Sequence, residues 1–192
     1  MQPRHQAFFY SLFLSRLADQ ILLFLVPLVV FRLTGSVAWS GAAFFFESLL
    51  RFLAYPLCGI LSDRIPPLAL LRFSQLCRAA ASFGGIVGYA AFGGIGWLIA
   101  ISAISGVLTR QGMMAREVML PQVFNGRRFE EITSYTQIAD QVGMVLGPLV
   151  AAGLLEFCSW EYVILSATLL FLAADGTMTV WQRIARPTLN YT

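Results

Sequence analysis

The sequence predicts an all-α membrane protein with six transmembrane helices, and three observations support this fold class. Of the 192 residues, 58% are hydrophobic and only 12% are charged, whereas about a quarter of the residues in soluble domains are charged. The mean hydropathy is +0.73. Apolar runs long enough to cross a bilayer, about 20 residues, recur throughout residues 1–192, which we expect to form a single transmembrane domain.

Six apolar runs are predicted to span the membrane, and turn or polar residues separate them. The runs cover residues 8–32, 39–61, 67–90, 94–115, 134–155 and 161–182. The first three links are short and contain glycine or proline, whereas the fourth is predicted to run from Arg116 to Thr133 through an Asn125-Gly126 turn. This long link is either a cytoplasmic gate or a solvated surface turn.

The distribution of arginine predicts that both termini are cytoplasmic. All thirteen basic residues are arginine, and most of those in the links fall on one side of the predicted bundle, as in cytoplasmic loops. Trp39, Trp97, Trp160 and Tyr162 fall at the opposite boundary, where aromatic belts occur. The arginines form no basic stripe, so we expect the lipid bilayer rather than nucleic acid as a partner.

The sequence offers little for metal, cofactor or enzyme chemistry. The three cysteines are far apart and His5 is the only histidine, so neither a metal cage nor a disulfide framework is expected. A rhomboid-like protease needs Gly-x-Ser-Gly, but Ala103 stands in the first position of that pattern. A presenilin-like protease needs Gly-x-Gly-Asp, but Asp175 follows two alanines. We therefore expect a non-enzyme without a cofactor.

Charged residues lie inside the apolar runs, where each costs about 2.5–3.5 kcal/mol to insert. Eight were identified, four of each sign: Arg16, Asp19, Glu47, Arg51, Arg78, Arg110, Asp140 and Asp175. Helical spacing predicts a pair between Arg16 and Asp19 and another between Glu47 and Arg51. The charges either clamp the bundle together or line a polar path through it.

Two short motifs are predicted to shape the bundle. Gly59, Asp63 and Arg64 precede Pro66-Pro67, which predicts a tight turn at the membrane surface, with glycine for close helix contact and an acid that pairs with a neighbour. In the fifth run, Gly143, Gly147 and Pro148 combine small-residue spacing with a helix-bending proline.

These motifs resemble those of the major facilitator superfamily of transporters. Gly59-x-x-x-Asp63-Arg64 is similar to the signature between its second and third helices, although Pro66-Pro67-Leu68 replaces the usual glycine and two basic residues. Gly143-x-x-x-Gly147-Pro148 resembles the glycine–proline motif of its antiporter-type exporters. The first helix resembles that of the enterobactin-exporter and macrolide-efflux branch. The resemblance covers almost the whole chain as the N-terminal six-helix half of a twelve-helix family.

The resemblance implies half of a secondary transporter in the bacterial inner membrane. Its activity is expected to be proton-coupled export of a small organic molecule, such as a drug or a siderophore. The candidate residues for proton coupling and transport are Asp19, Arg110, Glu47, Arg51 and Asp140. Among them, Asp19 and Arg110 are preferred and Glu47 is the second choice as proton carrier.

In this superfamily the substrate path lies between two six-helix halves. A homodimer, a separately encoded second half and a truncated product are therefore all open for this chain. The alternative function is that of a membrane protein without transport of its own, which assembles with a second six-helix half.

Overall fold

The computed structural model describes the backbone of residues 3–124 and 127–189, and this part of the chain is helical apart from short connections. The predicted Asn125-Gly126 turn lies outside the described residues. The helices are α1 (Pro3–Thr34), α2 (Val37–Leu53), α3 (Tyr55–Arg64), α4 (Pro67–Phe92), α5 (Gly96–Val123), α6 (Arg127–Phe157) and α7 (Trp160–Leu189). Each predicted apolar run coincides with one helix or, for 39–61, with two.

Four of these helices, α1, α5, α6 and α7, are long and apolar enough to cross a membrane, and the bent pair α2–α3 adds a fifth candidate. Helix α4 covers the predicted third run but is not among these candidate spans. Its polar side chains are buried inside the bundle, among them Ser74, Gln75 and Arg78. The all-helical, multi-pass character of the prediction is thus confirmed, while six spans and cytoplasmic termini stay predictions.

The second predicted helix, 39–61, is broken at Ala54, where the axes of α2 and α3 meet at 46°. The cause is Pro56, which lies in the first turn of α3. Proline has no N–H for the carbonyl four residues earlier, that of Phe52, and its ring crowds that carbonyl. The predicted span 39–61 is therefore formed by two helices rather than one.

Most of the predicted polar link from Arg116 to Thr133 is helical, and its place outside the membrane stays a prediction. Helix α5 continues to Val123 and α6 begins at Arg127, so both helices run past the apolar runs that predicted them. Polar residues end a transmembrane pattern, but they do not end a helix, because the i to i−4 backbone hydrogen bonds do not depend on whether the side chains are polar. Hydropathy therefore did not locate the ends of these two helices.

The turn between α3 and α4 is confirmed, since Ile65 is extended (φ −114°, ψ 139°) and α4 begins at Pro67. Two details differ from the prediction. A Cβ at Gly59 would meet no atom within 4 Å, so this glycine makes no close helix contact. Asp63 is exposed and forms no ion pair among the described residues, because the turn projects it away from the bundle.

Helix α1 is the centre of the bundle and packs on α7, α6 and α2. Its residues Ala18 to Val30 form one buried cluster with α7, and Phe8 forms a second with Trp181 near the other end. Helix α6 approaches α1 closely at the predicted motif. A Cβ on Gly147 would lie 2.3 Å from Cβ of Gln20, so the small-residue packing predicted for this helix is confirmed.

Candidate transport site

Asp19 is the centre of a buried charge cluster formed by α1, α4 and α5. The Nη1 atom of Arg78 donates to both carboxylate oxygens of Asp19, at 2.7 and 2.6 Å. The hydroxyl of Thr109 donates to Oδ1 of the same carboxylate at 2.9 Å. Asp19 thus holds three helices together through charge-assisted hydrogen bonds, which are stronger than neutral ones.

Arg78 is fixed by further contacts. Its side chain is 2% exposed, and its Nε donates to the backbone carbonyl of Ser74 at 3.1 Å. Its guanidinium lies 4.8 Å from the centre of the Phe171 ring, within the range of a cation–π contact. The ring and the carboxylate together compensate the buried positive charge.

The predicted pair between Arg16 and Asp19 does not form. The carboxylate of Asp19 is occupied by Arg78 and Thr109 from two facing helices. Within the described part of the chain, Arg16 makes no hydrogen bond or ion pair, and its Nε is buried without a partner. Spacing of i, i+3 along one helix permits an ion pair, but Asp19 binds Arg78 of α4 and Thr109 of α5 instead.

A small cavity of about 30 Å³ opens beside this cluster. Its charged lining comes from four helices: Arg16, Asp19, Arg78, Arg116 and Asp140. Arg116 of α5 pairs with Asp140 of α6 at 2.8 Å. The cavity thus brings together two of the predicted transport residues, Asp19 and Asp140, with three arginines.

Glu47 forms a second buried cluster, between α2 and α5. The predicted pair with Arg51 is confirmed, and the hydroxyl of Ser102 donates to the other carboxylate oxygen at 2.8 Å. A Cβ on Gly106 would lie 2.9 Å from the backbone oxygen of Glu47. Glycine at this position therefore allows α5 to lie directly against the acid.

Arg110 lies apart from the Asp19 cavity. Its guanidinium stacks over the ring of Tyr55, 4.0 Å from the ring centre, and so joins α5 to the first residue of α3. The structure therefore separates the two residues that the sequence preferred for transport, Asp19 and Arg110.

Four interactions were missed at the level of sequence. Arg72 donates to both oxygens of Asp175, at 2.9 and 3.3 Å, and so joins α4 to α7. Arg116 was assigned to a link, and the hydroxyls of Thr109 and Ser102 were not considered. Arg72 could have been identified from the sequence as a further charge within an apolar run, since it lies inside the run 67–90 and six residues before Arg78. The hydroxyls carried none, because serine and threonine are common in transmembrane helices.

The sequence matches the model of the Major Facilitator Superfamily over residues 8–189. The chain belongs to this superfamily. The match spans all the described helices and confirms the resemblance at the level of the family. Among curated proteins, no relative matches the chain.

Membership in the Major Facilitator Superfamily suggests a secondary transporter and a multi-pass membrane protein. Because members of the superfamily are transporters, it also fits the expectation of a non-enzyme. Charged side chains inside a transporter bundle face the interior or a water-filled cavity. The Asp19 cavity, with charges from α1, α4, α5 and α6, is therefore the candidate site for ion or substrate coupling.

Proposed function

We propose that this chain is one half of a proton-coupled exporter of a small organic molecule, drug-like or siderophore-like, in the bacterial inner membrane. The observation that carries the proposal is the buried ion pair between Asp19 and Arg78 beside a polar cavity. A carboxylate in this position can take up a proton, whereas an arginine stays charged. Such an asymmetric pair is a proton-sensitive contact between helices.

Protonation of Asp19 removes the negative charge that holds Arg78. The hydrogen bonds from Arg78 and Thr109 then lose their charge-assisted strength, so the contact of α1 with α4 and α5 loosens. The other charged groups that line the cavity are Arg16, Arg116 and Asp140. Glu47, on α2, contacts α5 through the hydroxyl of Ser102. A proton on Asp19 therefore raises the positive charge of a cavity that already contains three arginines.

The open face of α6 supports the view that this chain is a half. Only 17% of its apolar window is buried, against 39–50% in the other three long spans. Ser134, Gln137 and Gln141, at helical spacing, are all exposed on it. Polar side chains avoid the lipid, so this stripe faces a water-filled path and a second six-helix half. The second half is either another copy of this chain or a separate protein.

The proposal is tested by Asp19→Asn in everted membrane vesicles loaded with a pH-sensitive dye. In wild-type vesicles, addition of a carboxylate-bearing drug such as nalidixate releases protons and reports coupling. We expect Asp19→Asn to abolish this signal. Because this variant leaves Arg78 without its counter-ion, the double variant Asp19→Asn/Arg78→Gln, in which neither charge remains, is tested beside it and should also lack the signal. Glu156→Gln, an exposed acid at the end of α6, is the matched control and keeps the signal. Unchanged coupling in Asp19→Asn would remove this residue from the mechanism.

The alternative function, an assembly partner without transport of its own, is supported by the same open face of α6. Reconstitution of the chain alone separates the two functions. Nalidixate accumulation in proteoliposomes under a pH gradient supports a self-sufficient transporter, which would assemble as a homodimer. Its absence, with recovery when a second six-helix protein is added, supports an obligatory partner.

A further inference from the structure

We infer that Arg16 and Arg116 form a binding site for an oxyanion group, a carboxylate or phosphate, carried by the exported molecule. This inference rests on the proposed transport function and narrows its substrate class to organic anions. It starts from the charges that line the cavity between α1, α4, α5 and α6.

The charges of the cavity do not balance. Three guanidinium groups face two carboxylates, and each carboxylate already has an arginine: Asp19 pairs with Arg78, and Asp140 pairs with Arg116. Arg16 is left without a counter-ion among the described residues. Arg16 is half-buried, so water hydrates it only in part, and an anion that enters the cavity would supply the missing counter-ion.

Unused hydrogen-bond donors point to the same ligand. The Nε atoms of both Arg16 and Arg116 are buried and have no partner. Arg116 reaches Asp140 through Nη1 alone, at 2.9 and 2.8 Å from its two oxygens. Guanidinium groups hold carboxylates and phosphates through two parallel N–H···O bonds. The Nε atoms are enclosed, as they are in Arg51 and Arg110, so the donors available to a ligand are both Nη atoms of Arg16 and Nη2 of Arg116, which donate to no described residue.

The packing of α6 makes room for Arg16. A Cβ on Gly143 would lie 3.0 Å from Cγ and 3.4 Å from Cβ of Arg16. Glycine at this position therefore lets the aliphatic stem of Arg16 lie against the backbone of α6. The glycine of the helix motif thus positions the unpaired arginine at the cavity.

The size of the cavity limits what enters. A volume of about 30 Å³ holds a few small atoms, since a single water needs roughly 10–15 Å³ by the same measure. One anionic group fits, and the rest of an organic molecule does not. The site therefore binds the charged end of a cargo and leaves its body outside.

The test uses the full chain in nanodiscs of phosphatidylcholine and saturation-transfer NMR at constant ionic strength. Acetate is the charged probe, and acetamide is its neutral counterpart of nearly equal shape. We expect saturable transfer to acetate only. Arg16→Gln should weaken acetate binding about tenfold to a hundredfold, as the loss of charged hydrogen bonds does. Arg32→Gln, an exposed arginine in the same helix, is the matched control and should bind acetate as wild type does.

Several outcomes would overturn the inference. One is equal transfer to acetate and acetamide, and another is unchanged acetate binding in Arg16→Gln. A third is loss of acetate binding when phosphatidylglycerol is added to the nanodisc, because the occupant is then a lipid headgroup rather than cargo. If Arg16→Gln fails to fold, Arg16→Lys replaces it. Lysine keeps the positive charge but lacks the planar guanidinium that binds a carboxylate through two nitrogens. Acetate binding should therefore be reduced rather than abolished, and wild-type affinity would contradict the proposal.

The inference and the proposed function fail separately. Loss of acetate binding in Arg16→Gln, with no proton-coupled transport in the wild type, supports the anion site and contradicts the exporter. Proton-coupled transport that depends on Asp19, with acetate binding that does not depend on Arg16, supports the exporter and contradicts the anion site.

Discussion

Nη1 of Arg78, on α4, lies 2.6 Å from Oδ2 and 2.7 Å from Oδ1 of Asp19, on α1. One nitrogen therefore donates hydrogen bonds to both oxygens of a buried carboxylate, and the two residues are 59 positions apart in the sequence. Four described ion pairs occur in the structure, and in this one both side chains are less than 10% exposed. The extent to which each ion pair is buried determines how much its loss should lower the free energy of unfolding.

Arg78→Gln should destabilise the protein by about 3–5 kcal/mol, because it leaves a buried charge uncompensated. The matched control is Arg72→Gln, in the same helix. Its side chain is 32% exposed in the pair with Asp175, whose side chain is 13% exposed, so water compensates part of the loss and this variant should be less destabilised than Arg78→Gln. Thermal unfolding in nanodiscs measures both. The double variant with Asp19→Asn should recover part of the Arg78→Gln loss. Equal losses from Arg78→Gln and Arg72→Gln would contradict the assigned role of burial.

Gly147→Ala should destabilise the contact of α6 with α1. The added methyl would lie 2.3 Å from Cβ and 3.2 Å from the backbone carbon of Gln20, so the helices must separate, which typically costs about 1–3 kcal/mol. Gly153→Ala, in the same helix, meets no atom within 4 Å and should be neutral or slightly stabilising. A shift in unfolding temperature of the same size and sign for both variants would refute the close contact at Gly147.

Tyr55→Leu should weaken the link between α3 and α5, because it removes the ring over which Arg110 lies at 4.0 Å. Tyr55→Phe keeps the ring and should behave nearly as wild type. A double-mutant cycle with Arg110→Gln measures the coupling, which we expect at about 0.5–2 kcal/mol. A coupling near zero, or equal effects of leucine and phenylalanine, would show that the stacking contributes nothing.

Gln141→Cys should react rapidly with a water-soluble maleimide, in a background where the three native cysteines are replaced by alanine. The polar stripe of α6 faces a watery path in the proposed assembly. The control is Leu169→Cys on α7, a residue that is 59% exposed and apolar and therefore faces lipid. We expect at least a tenfold difference in rate, since only the hydrated thiolate reacts quickly. Equal slow rates would place the stripe in lipid.

The fold class and the positions of the helices followed from local signals in the sequence. Hydropathy and turn residues are properties of short windows, and the runs they defined all became helices. The pair of Glu47 with Arg51 was also local, because both residues lie one turn apart on α2. The break at Ala54 had a local signal as well, in Pro56, but the hydrophobic run across it concealed the bend.

The partners of the buried charges could not be predicted in this way. Whether Asp19 meets Arg16 of its own helix or Arg78 of α4 depends on how α1 is rotated against its neighbours. Rotation is set by the packing of many side chains, and the spacing of two charges does not reveal it. For the same reason the sequence grouped Arg110 with Asp19, whereas the structure places it on Tyr55.

The break at Ala54 makes α3 a short helix with an interruption of the backbone hydrogen bonding at each end. One interruption is caused by Pro56 in its first turn, and the other is the proline turn after Arg64. Tyr55, beside the first interruption, is attached to α5 through Arg110. Because α2 is also packed on α5, through Glu47 and Ser102, a displacement of α5 acts on both arms of the broken span, and the short arm, α3, ends at the turn of Asp63 and Arg64.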